Sequence, residues 1–503
     1  MRTSCGTRAR NALRSVWLAS IASAIALLGP AAAQAATIAV TTTADEFNSD
    51  PAACSLREAI WAANHDLVLL APGCTAGSGT DEITVPAGTY NLTIPGAGEQ
   101  GDATGDLDVS APVTIRHSGG GSTIVDAKGI DRVFEISSGG VITISGITIQ
   151  GGHAVGPADV TSSGAGGGIL VSAGALTLAN STITGNLADA FGGGIETRPN
   201  AASNLSNDTI SGNRSQHDGG GVDNTGGTTS LLNVTVTGNV ADAQPLPPGG
   251  VSHGGGGVGN FGGTTTMHNT LVAGNSERRG QTPDCYNAGS SPLVSQGQTL
   301  IGTLTGCAYT AAAGDITGLD PKLGPLADNG GPTPTHALLS GSAALNKGAG
   351  CTRNDQRGVP RAAGGACDIG AYELVRCHGR IVDYVGTNGP DSLTGTPGPD
   401  AFMLLGGNDS AFGLAGNDVF CGAGGKDREV GGPGHDRLYG DTGKDKLIGG
   451  GGDDLLVGGG GADQLFGGVG NDDLHANGGD DRCNGGGGGD DKSAGCEHTK
   501  KIP

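Results

Sequence analysis

Twelve aspartates recur every nine residues near the C-terminus: Asp391, Asp400, Asp409, Asp418, Asp427, Asp436, Asp445, Asp454, Asp463, Asp472, Asp481 and Asp490. A glycine stands two residues before each of them, and Leu or Phe stands two residues after eight of them (Leu393, Phe402, Phe420, Leu438, Leu447, Leu456, Leu465 and Leu474). Glycine reaches positive φ and lets backbone carbonyls approach an ion, while aspartate supplies the hard, charged oxygen that calcium prefers. The apolar residue faces a thin core between two short strands. Two nonapeptides make one coil, so aspartates 18 apart stack. One row holds Asp400, Asp418, Asp436, Asp454, Asp472 and Asp490, and the other row holds the rest. Carboxylates about 5 Å apart repel by roughly 3 kcal/mol at an effective dielectric of 20, so the stack calls for several calcium ions. The core position is weaker where Ala411, Glu429, Cys483 and Lys492 stand, which leaves units six to ten as the firmest. Lys426, His435 and Lys444 precede their aspartates by one residue and would lower local affinity if they faced the ion.

A second constellation lies upstream. His217 and His253 each precede a Gly-Gly-Gly turn, with Asp218, Glu196, Arg198 and Asp223 near them in the repeat frame. Carboxylates beside a basic group are what polysaccharide cleavage needs, as metal ligands or as acid and base. Asp126, Lys128, Asp131, Arg132 and Glu135 form another charged patch, read as a solvated turn with ion pairs.

The elements that would position this second group come from a looser repeat. Gly-rich turns open units that close on Asn186, Asn213, Asn239 and Asn275, at spacings of 27, 26 and 36 residues. The longest spacing contains the insertion AQPLPPGG. Runs such as Thr182-Ile183-Thr184 alternate with period two, so each unit reads as a coil of short strands in a parallel β-helix. The closing asparagines, and a second set at Asn180, Asn207, Asn233 and Asn269, are both expected to bond coil to coil through their side-chain amides.

Glycine supplies 99 of 503 residues and aromatics only 3%, which excludes a thick core of large side chains. Residues 1–35 read as an export signal: arginines, an apolar run from Val16 to Leu28, and the small-residue site Ala33-Gln34-Ala35. That run is too short to span a bilayer. Without it the chain carries 24 basic against 49 acidic residues, a net of −25. The sign suits a collector of cations and argues against nucleic acid or an anionic membrane as partner. Ten cysteines remain, an even number that suits an oxidising compartment. Sequence-near couples are Cys54 with Cys74, Cys285 with Cys307, Cys351 with Cys367, and Cys483 with Cys496, leaving Cys377 and Cys421.

The nonapeptides match G-G-x-G-x-D-x-U-x, and on them the segment resembles the RTX, or hemolysin-type, calcium-binding repeat. CSLREAIWAAN (Cys54 to Asn64) resembles the signature of secreted CSLREA-motif proteins. DQRGVPRAAGGACDIGAYE (Asp355 to Glu373) resembles the closing motif of the choice-of-anchor Q group. Together with GDLDV (Gly105 to Val109), this resemblance covers residues 37–376. It implies a right-handed parallel β-helix of the pectin-lyase-like superfold, displayed outside the cell, with no defined reaction. Calcium repeats stand where that group carries an anchor.

The expected fold is all-β, a right-handed parallel β-helix followed by a calcium-binding parallel β-roll. Expected boundaries are an export signal at 1–35, a cap at 36–80, the β-helix with its closing motif at 81–376, a junction at 377–385, the roll at 386–492 and a tail at 493–503. The expected role is a secreted, calcium-binding surface or matrix protein, non-catalytic, with an extracellular polysaccharide or cell surface as a further partner. The alternative is an extracellular polysaccharide lyase or hydrolase.

Overall fold

A computed structural model describes residues 35–500, apart from 68–72, 97, 99–100, 102, 138, 157–163, 242–253, 279–282, 289–290, 362–365, 388 and 489–490. The run expected to be an export signal (through residue 34), the Pro-rich insertion, His253 and Asp490 therefore lie outside the described residues. Among those described, no helix is long and apolar enough to cross a membrane.

The chain is nearly all parallel β-structure. Its first half winds into a β-helix of three parallel sheets with 17, seven and five strands. Alternating apolar residues point inward and stack between coils. Ile115, Ile144, Leu178, Leu205, Leu231 and Met267 are in direct register, and each is at most 1% exposed. Such a ladder buries apolar surface without large aromatics, at roughly 25 cal/mol per Å².

The helix Leu56–His65 packs against the first strands, where the coils would otherwise be open. Ser55 caps it, bonding the Glu58 amide while the Glu58 carboxylate bonds back to the Ser55 amide. Its Arg57 is buried, paired with Asp45 and donating to the carbonyls of Gly105 and Asp106. Its Asn64 donates to the Asp108 carbonyl and accepts from the Ser110 amide. The CSLREA-like segment and the GDLDV segment are thus direct partners.

One asparagine set forms the expected ladder. Asn186, Asn213 and Asn239 each donate from Nδ2 to the Oδ1 of the next at 2.9–3.0 Å, ending on Asn275. Asn275 then donates to Asp284, which closes the row. The second set departs from expectation. Asn180, Asn207, Asn233 and Asn269 adopt φ between 47° and 55°, the left-handed bends that asparagine tolerates. Between coils they make a single amide contact, a 3.4 Å one from Asn207 to Asn180. Asn207 and Asn269 instead bond the carbonyls of Asn354 and Ala349.

That pairing shows where the closing motif goes. Residues 333–361 and 366–373 fold back along the side of the coils. Gln356 bonds Thr182 and Thr209, and the Ala371 amide bonds Thr235. Within the strap Arg357 pairs with Asp355 and Arg361 with Glu373, all four buried.

The second solenoid is two facing parallel sheets of ten and seven strands. Its register advances by 18 residues, as Phe402, Phe420, Leu438, Leu456 and Leu474 stack in one sheet. Ala411, Glu429, Leu447, Leu465 and Cys483 stack in the other. The pairing runs past residue 492. Strands Lys492–Ala494 and His498–Lys500 complete the two sheets, so most of the expected tail belongs to the roll. Five disulfides form: the four sequence-near couples and Cys377–Cys421, which ties the junction to the roll.

Candidate metal centre

The described roll aspartates sit at turns between the two sheets. From Asp409 onward, Oδ1 accepts the amide of the aspartate one coil earlier. Ten such bonds, at 2.7–3.1 Å, run from Asp391–Asp409 to Asp472–Asp491. The Asp481 amide, last of its row, bonds Glu497 instead.

The second oxygen distinguishes the units. Oδ2 of Asp409, Asp418, Asp427, Asp436, Asp445, Asp454, Asp463, Asp472, Asp481 and Asp491 is buried and accepts no hydrogen bond. Leaving one such charged oxygen dry and unbonded costs on the order of 1–3 kcal/mol or more. Ten in two rows are relieved by protons or by a bound cation.

The backbone around them leaves room for one. A Cβ on the first glycine of a unit would fall 2.1 Å from Oδ2 at Gly413 and Gly431, and 2.3 Å at Gly449, Gly467 and Gly485. At the fourth position, Gly425, Gly443 and Gly461 adopt φ between 145° and 152°. A Cβ there would meet the carbonyl oxygen of the coil before at 1.3–1.6 Å. The residues present thus fit calcium, with carboxylate and carbonyl oxygens crowded together and no side chain between them. Bound calcium would supply the positive charge that the stacked carboxylates lack. Lys426, His435 and Lys444 are exposed.

Burial, with the like charge of stacked neighbours adding to it, raises the carboxyls of Asp409, Asp418, Asp427, Asp436, Asp445, Asp454, Asp463 and Asp472 above their usual range. Asp427 and Asp436 reach about 6, and Asp445 and Asp454 about 7. The backbone bond to Oδ1 opposes the shift. Such groups hold protons near neutrality unless a cation displaces them.

Both ends of the array depart from the nonapeptide count. Asp391 and Asp400 already spend Oδ2 on the amides and hydroxyls of Thr387 and Thr396. At the other end, Leu474 pairs with Ser493 rather than Lys492, so the register slips by one. Asp491 takes the ladder place that counting assigns to Asp490, and exposed Ser493 replaces Lys492 at the core position.

With this geometry in hand, the comparisons are specific. Residues 385–429, 430–465 and 457–491 match the family model of the RTX calcium-binding nonapeptide repeat (4 copies), so this segment is similar to that family and carries its repeats. No curated protein and no solved structure matches the chain.

The upstream group is also assembled. Glu196 and Asp223 are neighbours on adjacent coils. The Arg198 guanidinium lies 3.5 Å from Glu196, which also accepts from the Thr225 hydroxyl at 2.6 Å. Burial, then the charges of Glu196 and Asp218, pushes Asp223 well above the carboxylate range. His217 lies against Phe191 in a tilted arrangement, with ring centroids 5.8 Å apart. Glu196 and Asp223 are fully buried, and His217 and Arg198 are at most 8% exposed.

The patch read as a solvated turn divides in two. Asp126 and Lys128 pair at a turn. Asp131, Arg132 and Glu135 are instead buried, beside Asp106 and Asp108. Burial is the main cause that raises Asp106 to about 8, ahead of the opposing attraction of Arg132. The turn reading failed because these partners come from the preceding, irregular coil.

Proposed function

We propose that this chain is an exported, calcium-folded surface or matrix protein whose β-helix is a scaffold without catalysis. The observation that carries the reading is the double row of buried, unbonded Asp Oδ2 atoms in the roll. In a medium low in calcium their repulsion opposes folding. Where calcium is abundant, as outside cells, the ion removes it. Five disulfides fit the same compartment. The closing motif lies along the coils, where it covers one side of the helix and leaves less of it open to a ligand.

The polysaccharide lyase or hydrolase reading has one observation in its favour, the Glu196–Asp223 pair beside Arg198. Complete burial of both carboxylates speaks against it, because a polymer must reach its acid and base. The test is to express the tagged chain in a secreting host and follow it between cells and medium. Folded, disulfide-bonded protein in a calcium-containing medium supports the proposal. Retention in the cytosol overturns it. Release of oligosaccharides from pectate, alginate or chondroitin by the purified chain would favour the enzyme instead.

A further inference from the structure

The two N-terminal motifs meet at a place that the roll does not explain. Asp106, Asp108 and Glu135 bring one carboxylate oxygen each to within 4.8 Å of one another, and all three are buried. Asp108 and Glu135 are in register on adjacent coils. Asp106 is 1% exposed, and its Oδ2 accepts no hydrogen bond. The cation beside it, Arg132, holds Nε at 3.6 Å from that oxygen and spends Nη1 on Glu135. Asp131 adds a fourth buried carboxylate, although its oxygens serve the amides of Arg132 and Gly98. The Arg132 guanidinium thus pairs with two of these buried carboxylates, Asp106 and Glu135.

The backbone of this group is held from outside. Arg57 fixes the carbonyls of Gly105 and Asp106, and Asn64 fixes that of Asp108. Arg57 and Asn64 belong to the CSLREA-like helix, whereas Asp106 and Asp108 belong to GDLDV. The cap therefore sets the spacing of the carboxylates, a preorganisation that favours a bound ion over collapsed ion pairs.

We propose that Asp106, Asp108 and Glu135 form a calcium site that joins the N-terminal cap to the first coils of the β-helix. An all-carboxylate donor set selects a hard divalent ion, and oxygens spread over up to 4.8 Å suit the longer bonds of calcium better than the tight octahedron of magnesium. The site is separate from the roll and does not depend on the role proposed for the whole chain.

Crystals of the mature chain grown with calcium chloride test it through anomalous scattering, with the roll ions as internal reference. The expected result is a peak with oxygens of all three residues at roughly 2.3–2.6 Å. Filled roll sites with no peak here would overturn the proposal and leave the cluster neutralised by protons. In solution, millimolar calcium should raise the melting step of the β-helix in the natural chain. It should fail to do so in the Asp106→Asn, Asp108→Asn double variant and in Glu135→Gln. An equal rise in all three would also overturn the site, because the effect would then reach the helix from the roll.

Discussion

The Asp436 amide donates to Asp454 Oδ1 across 2.8 Å, from one coil to the next. The bond leaves Asp454 Oδ2 buried and without a hydrogen bond. One carboxylate thereby divides its work, with one oxygen holding the coils in register and the other awaiting a cation.

Substitution should separate those two tasks. Asp454→Asn keeps an acceptor for the ladder and removes the charge. Calcium affinity of the roll should fall by about tenfold or more. Asp391→Asn should change it little, because Thr387 already occupies that Oδ2. Calcium titrations followed by circular dichroism check this, with Gln464→Ala as an exposed control.

The pH dependence follows from carboxyls raised to about 6 and 7 at Asp427, Asp436, Asp445 and Asp454. A folded pKa above the unfolded value means that the folded roll holds more protons. Without calcium its stability is greatest in acid, near the unfolded carboxylate pKa, and is lost as pH rises through about 6 to 7. With calcium the trend reverses, since the ion must displace those protons. Apparent affinity should therefore drop steeply as pH falls through the same window, with proton release visible by calorimetry in buffers of different ionisation enthalpy.

Glu429 occupies the core position between Ala411 and Leu447, fully buried and with neither carboxylate oxygen hydrogen-bonded. Burial is the main cause that pushes its carboxyl well above the usual range. Glu429→Leu should stabilise the calcium-loaded roll by about 1–3 kcal/mol at neutral pH. The gain should shrink in acid, where the natural side chain is protonated. Thermal melts at both conditions measure it.

Legibility in the sequence depended on how strictly a residue repeats. The nine-residue period exposed both aspartate rows, because any insertion would have broken the count. It could not place the slip at the last unit. There Gly485 to Gly489 run straight into Asp490 and Asp491, and both frames fit the string. Spacing made the two asparagine sets look alike, yet only one hangs side chain to side chain. The other was chosen for left-handed bends, a backbone property that periodicity does not report. Asp284, which ends the ladder, lies nine residues after Asn275 and belongs to no repeat. The Asp106, Asp108 and Glu135 group was missed because Glu135 lies one coil beyond Asp106 and Asp108, and those coils are irregular in length.

In the β-helix, Asn239 donates to Asn275 and to the Ile210 carbonyl, and its Oδ1 accepts from Asn213. Asn239→Ala removes these bonds and leaves buried partners unsatisfied. A loss of about 2–4 kcal/mol is expected in the helix melting step, with no change in calcium binding by the roll. A fall confined to calcium affinity would contradict the ladder's structural role.

The central claim, that calcium folds the roll, is tested most directly by calorimetry of the mature chain in calcium and in chelator. The account predicts two transitions with calcium. In chelator the roll transition should vanish, together with part of the β-sheet signal at low temperature. The β-helix transition should persist, shifted only by loss of the ion at Asp106, Asp108 and Glu135. Magnesium should not restore the missing step. An identical pair of transitions in calcium and in chelator would contradict the account.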